Sequence, residues 1–389
     1  GYQNEEGNFL REYLDKYNIK MSASHKASRF FSAGGSLSLT LTENSQGSEW
    51  GYRDGFRQNP LTPAYDADGN LVPQPGSAAG IQGTGGFTSS PNPLSEIDNG
   101  TLEDRRYDVL GNIYLSITPV EGLEFKTTLA PRYTRLRTGA YYGAILGGRS
   151  NSLAFQENKE WFDYTWDNVL NYSRSIGAHT INTTLINSVY ATRYESSNVG
   201  AERLPYDSQW YNIGSGTLLP GRSGSAYSET SLLSYAARVN YSYLGKYLAT
   251  ATIRYDGSSK LADKWDAFPS FALAWRLSEE DFMTGANWLS NLKLRLSYGY
   301  TGNNYGVNPF GTQLTPKYGS LVYYDYSGNV VSGFAPGDPV NVALAWEKTR
   351  EYNIGLDYGF LNNRINGTID WYDKLSDGLL MPRLLAIES

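Results

Sequence analysis

Apolar and polar positions alternate along much of this chain. In Leu292-Lys293-Leu294-Arg295-Leu296-Ser297-Tyr298-Gly299-Tyr300 every even position is apolar or aromatic and every odd one is polar or small. A helix repeats every 3.6 residues and cannot gather those positions on one side; a strand with one apolar face does so directly. The alternation recurs in Tyr235, Ala237, Val239, Tyr241 and Tyr243, in Tyr247, Ala249, Ala251, Ile253 and Tyr255, in Leu123, Phe125, Thr127 and Leu129, and in Phe271, Leu273, Trp275 and Leu277. It predicts about twelve strands, over 16–24, 29–42, 106–118, 122–136, 161–174, 178–193, 229–243, 246–256, 268–278, 290–301, 343–358 and 363–374. Most have about the length a tilted strand needs to cross a bilayer, roughly 10 residues.

The connections sharpen the picture. Short links (Lys26 to Ser28, Pro119 to Glu121, Ser175 to Gly177, Leu244-Gly245, Gly359 to Asn362) and one of medium length (Glu279 to Leu289) alternate with the long links 43–105, 137–160, 194–228, 257–267 and 302–342. An up-and-down membrane barrel has short periplasmic turns and long extracellular loops, whereas a soluble sandwich or propeller has no reason to keep its long loops at one end. The expected fold is therefore all-β: a transmembrane antiparallel up-and-down β-barrel, closed because hydrocarbon leaves no partner for a free backbone N–H or C=O. The even stripe of 292–300 then faces lipid, while Lys293 and Arg295 face a wet lumen. In 343–358 the apolar parity of Tyr352, Ile354, Leu356 and Tyr358 also sends Lys348 and Arg350 outward. Either the strand has left the hydrocarbon there or a bulge switches the parity.

Composition agrees with this reading. The chain has 389 residues, enough for two or three soluble domains or one large barrel, and a mean hydropathy of −0.46 with no run of eighteen apolar residues. That excludes a helical membrane protein but not a barrel, whose strands are only half apolar. Aromatic residues make up 14%, including 32 Tyr and 9 Trp, which suit strands and membrane interfaces alike. Zero Cys removes disulfides, thiolate metal sites and Cys nucleophiles together. A formal charge of −6 without a basic block argues against a nucleic-acid partner. The chain opens with neither an initiator Met nor a signal peptide, and Ala386 to Ser389 belong to no obvious strand, so both ends read as cut points in a longer protein.

Candidate chemistry is sparse. His25, in a short turn, and His179, at a strand start, are the only histidines, and they read as solvated interface residues rather than metal ligands. Asp66-Ala67-Asp68-Gly69-Asn70 begins like a calcium loop but lacks the Glu at its twelfth position, so a polar turn is favoured. The pairs Asp163 with Asp167 and Asp370 with Asp373 read as a hydrated wall rather than an acid/base couple. Glu279-Glu280-Asp281 reads as a solvated turn, and Gly83 to Gly86 and Ser215-Gly216 as loop punctuation. No catalytic residue, metal or cofactor is expected. The better lead is aromatic: Trp50, Tyr52, Phe56, Tyr141, Tyr142, Trp210, Tyr211, Tyr323 and Tyr324 fall in the long links, where rings can stack on sugars or peptide side chains, pack the loops together, or form an interface girdle.

Several stretches resemble a known family. They are Ser234-Tyr235-Ala236-Ala237-Arg238-Val239-Asn240-Tyr241-Ser242-Tyr243, Arg254-Tyr255-Asp256-Gly257-Ser258-Ser259-Lys260, Phe268-Pro269-Ser270-Phe271-Ala272-Leu273-Ala274-Trp275-Arg276 and Leu292 to Asn303. Trp346-Glu347-Lys348-Thr349, Asn353 to Asp357 and Phe360 to Gly367 follow, with weaker echoes at Asn92-Pro93-Leu94 and Leu110-Gly111-Asn112. Together they resemble the SusC/RagA-like TonB-dependent transporters of Bacteroidota outer membranes, densely over about 235–303 and 344–381. The resemblance implies a 22-stranded plugged barrel, of which residues 1–389 supply about half as part of one barrel domain. The plug, TonB box and closing C-terminal strands of the family do not appear in this sequence. It further implies an outer-membrane, multi-pass location and import of oligosaccharides or peptides. TonB-ExbB-ExbD would energise import through the plug, and a SusD-like surface lipoprotein would act as a lid. Cargo contacts would come from the loop aromatics and from the lumen-facing Arg238, Lys293 and Arg295. A passive porin and a soluble carbohydrate-binding β-protein are the alternatives.

Overall fold

All twelve expected segments are strands in the computed structural model, which describes residues 1–381 apart from 9, 48, 59–62, 73, 74, 76–91, 145–150, 207 and 338. In chain order the strands are β1 (Tyr2–Glu6), β2 (Glu12–Lys26), β3 (Phe31–Gln46), β4 (Gly100–Val120), β5 (Leu123–Tyr142), β6 (Leu153–Ile176), β7 (His179–Glu202), β8 (Thr217–Leu218), β9 (Gly224–Tyr243), β10 (Tyr247–Ser258), β11 (Trp265–Arg276), β12 (Leu289–Asn303), β13 (Lys317–Tyr326), β14 (Asn329–Ala335), β15 (Glu347–Phe360) and β16 (Ile365–Asp377). Fourteen form one antiparallel sheet in simple up-and-down order, with β8 beside β7 and the hairpin β13–β14 set apart in the link between β12 and β15. The edges, β1 and β16, do not pair with each other, so the barrel is not closed within this chain. The tight turns fit their residues: in the three-residue link from β9 to β10, Leu244 and Gly245 both have positive φ (54° and 69°) and form the centre of a turn that Lys246 N–H closes onto Tyr243 O at 3.0 Å.

Register turns the alternation into two surfaces. Outward, Leu273 lies opposite Leu296, Leu296 opposite Ile354, and Ile354 opposite Trp371. Inward, Ala274 lies opposite Arg295, Arg295 opposite Gly355, and Gly355 opposite Asp370. Aromatic bands bound the apolar stripe. At the short-turn end Tyr243, Tyr247 and Trp275 stack in a row, with His179 against Tyr241 and Tyr243. At the long-link end Tyr255 stacks on Trp265 and Tyr298 on Tyr352. Tyr247 and Tyr255 stand eight residues apart on β10, about 26 Å along the strand, or about 20 Å of height at a strand tilt of roughly 40°, somewhat less than the apolar band of about 25 Å expected between girdles.

The parity question at Lys348 and Arg350 is settled by register. β12 pairs with β15 without interruption from Asn291↔Gly359 to Asn303↔Glu347, so no bulge intervenes. Arg350 lies past Tyr352 of the aromatic band, with its guanidinium 5.4 Å from that ring, and Lys348 reaches Asp266 at 2.6 Å. The strand has left the hydrocarbon.

Two expectations are corrected. Strand runs far into the links 137–160 and 194–228: β6 and β7 are 24 residues each, about 80 Å, and Tyr141 and Tyr142 end β5 instead of lying in a loop. The alternation fades there because the outward positions above the bilayer meet water, and they carry Arg135, Arg137, Glu160, Arg193 and Glu195. The link 302–342 contains the hairpin β13–β14, and among its described residues 43–105 contains the helices α1 (Glu49–Arg57) and α2 (Pro93–Asn99). α2 is capped by Asn92, whose side-chain oxygen accepts from Leu94 N–H, and begins with Pro93 at its first turn.

Among the described residues, buried apolar side chains gather in two small clusters at the long-link end. One joins Tyr141, Ala154, Ala201, Trp210 and Ile213. The other joins Leu261, Phe268 and Trp346 where pairing of β11 with β12 stops at Ser270↔Gly299, next to Pro269, which has no N–H to give. Trp346 donates its indole N–H to Lys264 O at 2.9 Å.

Candidate functional site

The inward face carries the polar chemistry. On β12, β15 and β16, Arg295 Nε and Nη2 grip Asp357 at 2.8–3.0 Å, and Nη2 also reaches Asp370 Oδ1 at 3.0 Å. Thr368 donates its hydroxyl to Asp357 at 3.2 Å, and Lys293 stands 3.9 Å from the same carboxylate. Gly355 makes the bridge possible. A Cβ there would lie 2.6 Å from both Arg295 Nη2 and Asp370 Oδ1, so only a bare backbone lets Arg295 reach across a whole strand. Arg238 is freer: its Nε donates to Thr252 Oγ1 at 3.2 Å.

The same face continues around the sheet. Arg106 pairs with Asp108 at 2.7 Å, and Thr134 donates to that carboxylate at 2.7 Å. Asp163 accepts from Thr192 and Asp167 from Ser188, each across a strand pair. These two carboxylates are therefore wall groups held by hydroxyls. Arg254 clasps Asp256 at 2.7 Å and donates to Ser234 at 3.0 Å, while Asn304 donates to Ser258 at 2.9 Å. The Arg254-Tyr255-Asp256-Gly257-Ser258 stretch thus fixes the corner from β10 to β11, which is an architectural task.

The remaining candidates are dispersed. Trp210 is buried, with its ring over Gly139 and Arg137 on the outward parity of β5, and Tyr211, 67% exposed, stacks against it at 4.3 Å. Tyr141 is buried in the same cluster, and Tyr142 faces inward beside Phe155. Tyr52 on α1 meets Phe56 edge-on at 4.7 Å. Trp50 lies on the same helix, and its side chain is outside the described residues. Tyr323 and Tyr324 are exposed on β13, and Tyr324 donates to Phe334 O at 2.7 Å. The structure therefore brings Lys293 and Arg295 together, leaves Arg238 three strands away at β9, and does not gather the aromatics into one site.

The minor candidates resolve cleanly. Asp66 turns its carboxylate to the N–H groups of Asp68 and Asn70 at 2.9 and 2.8 Å, which hold its pKa below the usual carboxylate range; it is an Asx turn in a loop. His179 packs on tyrosines, with Nδ1 2.7 Å from Tyr241 OH, and His25 lies at the end of β2 instead of in the turn. Glu280 is more than a solvated turn residue. It accepts from Trp275 Nε1 at 2.9 Å and from Lys246 Nζ at 3.4 Å, tying two short turns together.

Asp357 and Gly355 were not singled out in the sequence, and Asp370 was read there only as part of a hydrated wall with Asp373. Their signal was available: Asp357 and Asp370 occupy inward parity on strands neighbouring Arg295, but strand alternation alone does not set the cross-strand register.

A barrel wall with a lipid stripe, two girdles and an ion-paired interior matches one family over nearly its whole length. The profile described as TonB dependent receptor-like, beta-barrel matches residues 29–384. The chain belongs to that family. It is 30% identical over 339 residues to TonB-dependent receptor P3 of Formosa agariphila, covering 85% of this chain and 32% of the relative. It is 43% identical over 163 residues to TonB-dependent receptor SusC of Bacteroides thetaiotaomicron, covering 41% of this chain and 16% of that protein. Among solved structures, the RagAB peptide transporter superimposes with a TM-score of 0.79 at 19% identity, over 97% of this chain and 42% of that one, which shows the shared fold. The chain spans about a third of the length of the first curated relatives it matches. The SusC/RagA-like resemblance in the motifs and the TonB-dependent receptor fold therefore agree.

Proposed function

We propose that this chain forms part of the wall of a TonB-dependent outer-membrane importer of oligosaccharides or peptides, working with a SusD-like surface lipoprotein. Membership in the receptor barrel family carries the reading, and the inward face supports it: paired charges and hydroxyls line a path that a hydrated cargo can follow by exchanging hydrogen bonds. Cargo is captured between barrel and lid, and TonB-ExbB-ExbD acts through a plug. On the wall, Arg238 offers free donors, while Lys293 and Arg295, anchored by Asp357 and Asp370, present fixed ones. The exposed Tyr52, Tyr211, Tyr323 and Tyr324 supply ring faces at the rim.

The test is uptake of labelled oligosaccharides and of labelled peptides by cells carrying the whole protein, with and without TonB. Uptake that needs both the protein and TonB supports import. Uptake that persists unchanged without TonB would sink the proposal in favour of a passive porin. Replacing Arg238, Lys293 and Arg295 together by Ala is expected to cut uptake; full uptake by a folded triple variant removes those residues from the cargo path and leaves the fold assignment untouched.

A further inference from the structure

At the long-link end the inward face carries an aromatic pair that no ion pair or turn of the fold requires. Trp161 on β6 and Tyr194 on β7 share the inward parity of Asp163 and Thr192. They lie directly opposite each other, with ring centroids 5.2 Å apart and planes tilted by 38°. Both are half-buried. Their row runs from Asp108 through Thr134, Trp161 and Tyr194 to Ser228, so polar residues flank the rings on both sides. The row below is Arg132, Asp163, Thr192 and Thr230. Lys159, paired with Glu157 at 2.8 Å, stands two residues above. Aromatic rings on the outward face border lipid; this pair stands among hydroxyls and charges.

The level is the membrane surface. On the outer side Phe162 carries the Arg193 guanidinium 5.9 Å from its ring, and Glu160, next to Trp161, pairs with Arg135 at 3.6 Å. From Trp161 the strand continues to Leu153, about 26 Å further, so the rings face the entrance of the lumen. The surroundings suit a neutral sugar. Arg106, Arg132 and Lys159 are balanced by Asp108, Asp163 and Glu157, which leaves no net charge for an ionic cargo to meet. Arg106 grips Asp108 at 2.7 Å, and Arg132 stands 3.8 Å from it. Thr134 donates to Asp108 and Thr192 to Asp163, which fixes both carboxylates as acceptors. A pyranose offers an apolar C–H face to an aromatic ring and hydroxyls to the polar groups at its edge. A peptide brings charged termini, which a balanced patch does not neutralise. Tyr190, 40% exposed and inward on β7, repeats the ring face about 13 Å below Tyr194, a span that takes more than one sugar to bridge.

We infer that Trp161 and Tyr194 form a sugar-stacking subsite at the lumen entrance, and that the cargo is a neutral oligosaccharide and not a peptide. One ring lies on the Trp161–Tyr194 pair with its hydroxyls toward Asp163, Arg132 and Thr134, and a later ring lies on Tyr190. This subsite narrows the cargo of the importer proposed above and rests on that reading.

The experiment uses the full-length transporter in two assays, calorimetric titration in detergent and uptake by cells, with folding checked by heat-shifted gel mobility. The probes are maltohexaose, cellohexaose, laminarihexaose and xylohexaose as neutral sugars, oligogalacturonate as a charged one, and hexaalanine as a peptide. At least one neutral sugar is expected to bind. Trp161→Ala should weaken that binding about tenfold and raise the KM of uptake by a similar factor at an unchanged maximal rate. Trp161→Tyr keeps a ring and should retain most of the affinity; a loss as large as in Trp161→Ala would overturn stacking. Trp166→Ala is the control, on the outward face of the same strand, and should change nothing. If Trp161→Ala does not fold, Tyr194→Ala takes its place with the same expected loss. A neutral sugar bound equally by wild type and Trp161→Ala, or weakened equally in Trp166→Ala, overturns the subsite and leaves the importer standing. So does TonB-dependent uptake confined to hexaalanine or oligogalacturonate, or a wild type that binds no neutral sugar. Unchanged sugar binding with a raised ionic leak through Trp161→Ala in planar bilayers overturns it in favour of packing against the plug. Uptake that is independent of TonB for every probe is a different failure: it removes the importer reading and the subsite with it.

Discussion

Strands β11, β12, β15 and β16 present two surfaces one side chain apart, and the two are held in opposite ways. Outward, Leu273, Leu296 and Ile354 lie in register between 42% and 58% exposed, because their partner is lipid. Inward, Arg295, Asp357 and Asp370 are held by specific hydrogen bonds, and Gly355 must stay small for Arg295 to reach across. The outer surface asks only for apolarity, so one aliphatic residue can replace another. The inner surface asks for identity, because a charge left without its partner loses the contacts that hold its side chain in place. A membrane barrel inverts the usual arrangement, with its apolar residues exposed and its charges enclosed.

The largest effect should come from putting the wrong chemistry on the outer surface. Leu296→Arg or Leu273→Arg is expected to destabilise the whole barrel by about 2–4 kcal/mol, measured by denaturant unfolding from lipid vesicles. Leu294→Arg, opposite Trp275 of the turn-side girdle, should cost less because the bilayer penalty falls towards the interface. Equal costs at Leu294 and Leu296 would show that the aromatic bands do not mark depth. If a charge at Leu296 were tolerated, the outward stripe would not face hydrocarbon at all.

A smaller effect should follow from crowding the inner surface. Gly355→Val places atoms where Arg295 and Asp370 meet, and overpacking of this kind costs about 1–3 kcal/mol. Asp370→Asn removes only one arm of the bridge from a partly hydrated site and should cost about 0.2–1 kcal/mol. Combining the two should cost less than their sum, since Gly355→Val has already broken the contact that Asp370→Asn weakens. Full additivity in the same unfolding assay would mean that Gly355 is small for some other reason.

These two surfaces were not equally legible. Period-two alternation in Leu292 to Tyr300 located the strands and the lipid stripe, because bilayer chemistry writes a one-bit code on every second residue. Above the bilayer the code stops, so β6 and β7 were cut short near Trp161 and Arg193 although their ladders run on to Leu153 and Glu202. Lys293 and Arg295 were correctly turned inward by parity, but Asp357 and Asp370 join them only through cross-strand register, which depends on turn lengths and pairing over 62 and 75 residues of chain. The β13–β14 hairpin was legible and passed over: Tyr326-Ser327-Gly328-Asn329 places Ser and Gly between alternating residues, and both adopt positive φ. Trp210 was undecidable from sequence, since a loop aromatic that covers a strand and one that stacks on cargo look alike.

The finest discrimination concerns the turn end, where charge serves neither lipid nor lumen. Glu280 accepts from the Trp275 indole and from Tyr247 and stands beside Lys246, and these contacts, the indole bond foremost, hold its carboxyl below the usual carboxylate range. A lowered folded-state pKa means that the stabilisation is fully present above the unfolded carboxylate pKa and is lost as pH falls through the folded one. Acidification should therefore loosen the link between the β9–β10 and β11–β12 turns first, visible as a blue-shifted Trp275 fluorescence change that precedes global unfolding in a variant retaining Trp275 as its only tryptophan. Glu280→Gln keeps a hydrogen-bond acceptor but no titrating charge, so it should flatten that acid limb while leaving stability at pH 3 unchanged. An acid limb that survives in Glu280→Gln would assign the turn-end titration elsewhere and leave Glu280 as a passive acceptor for the indole.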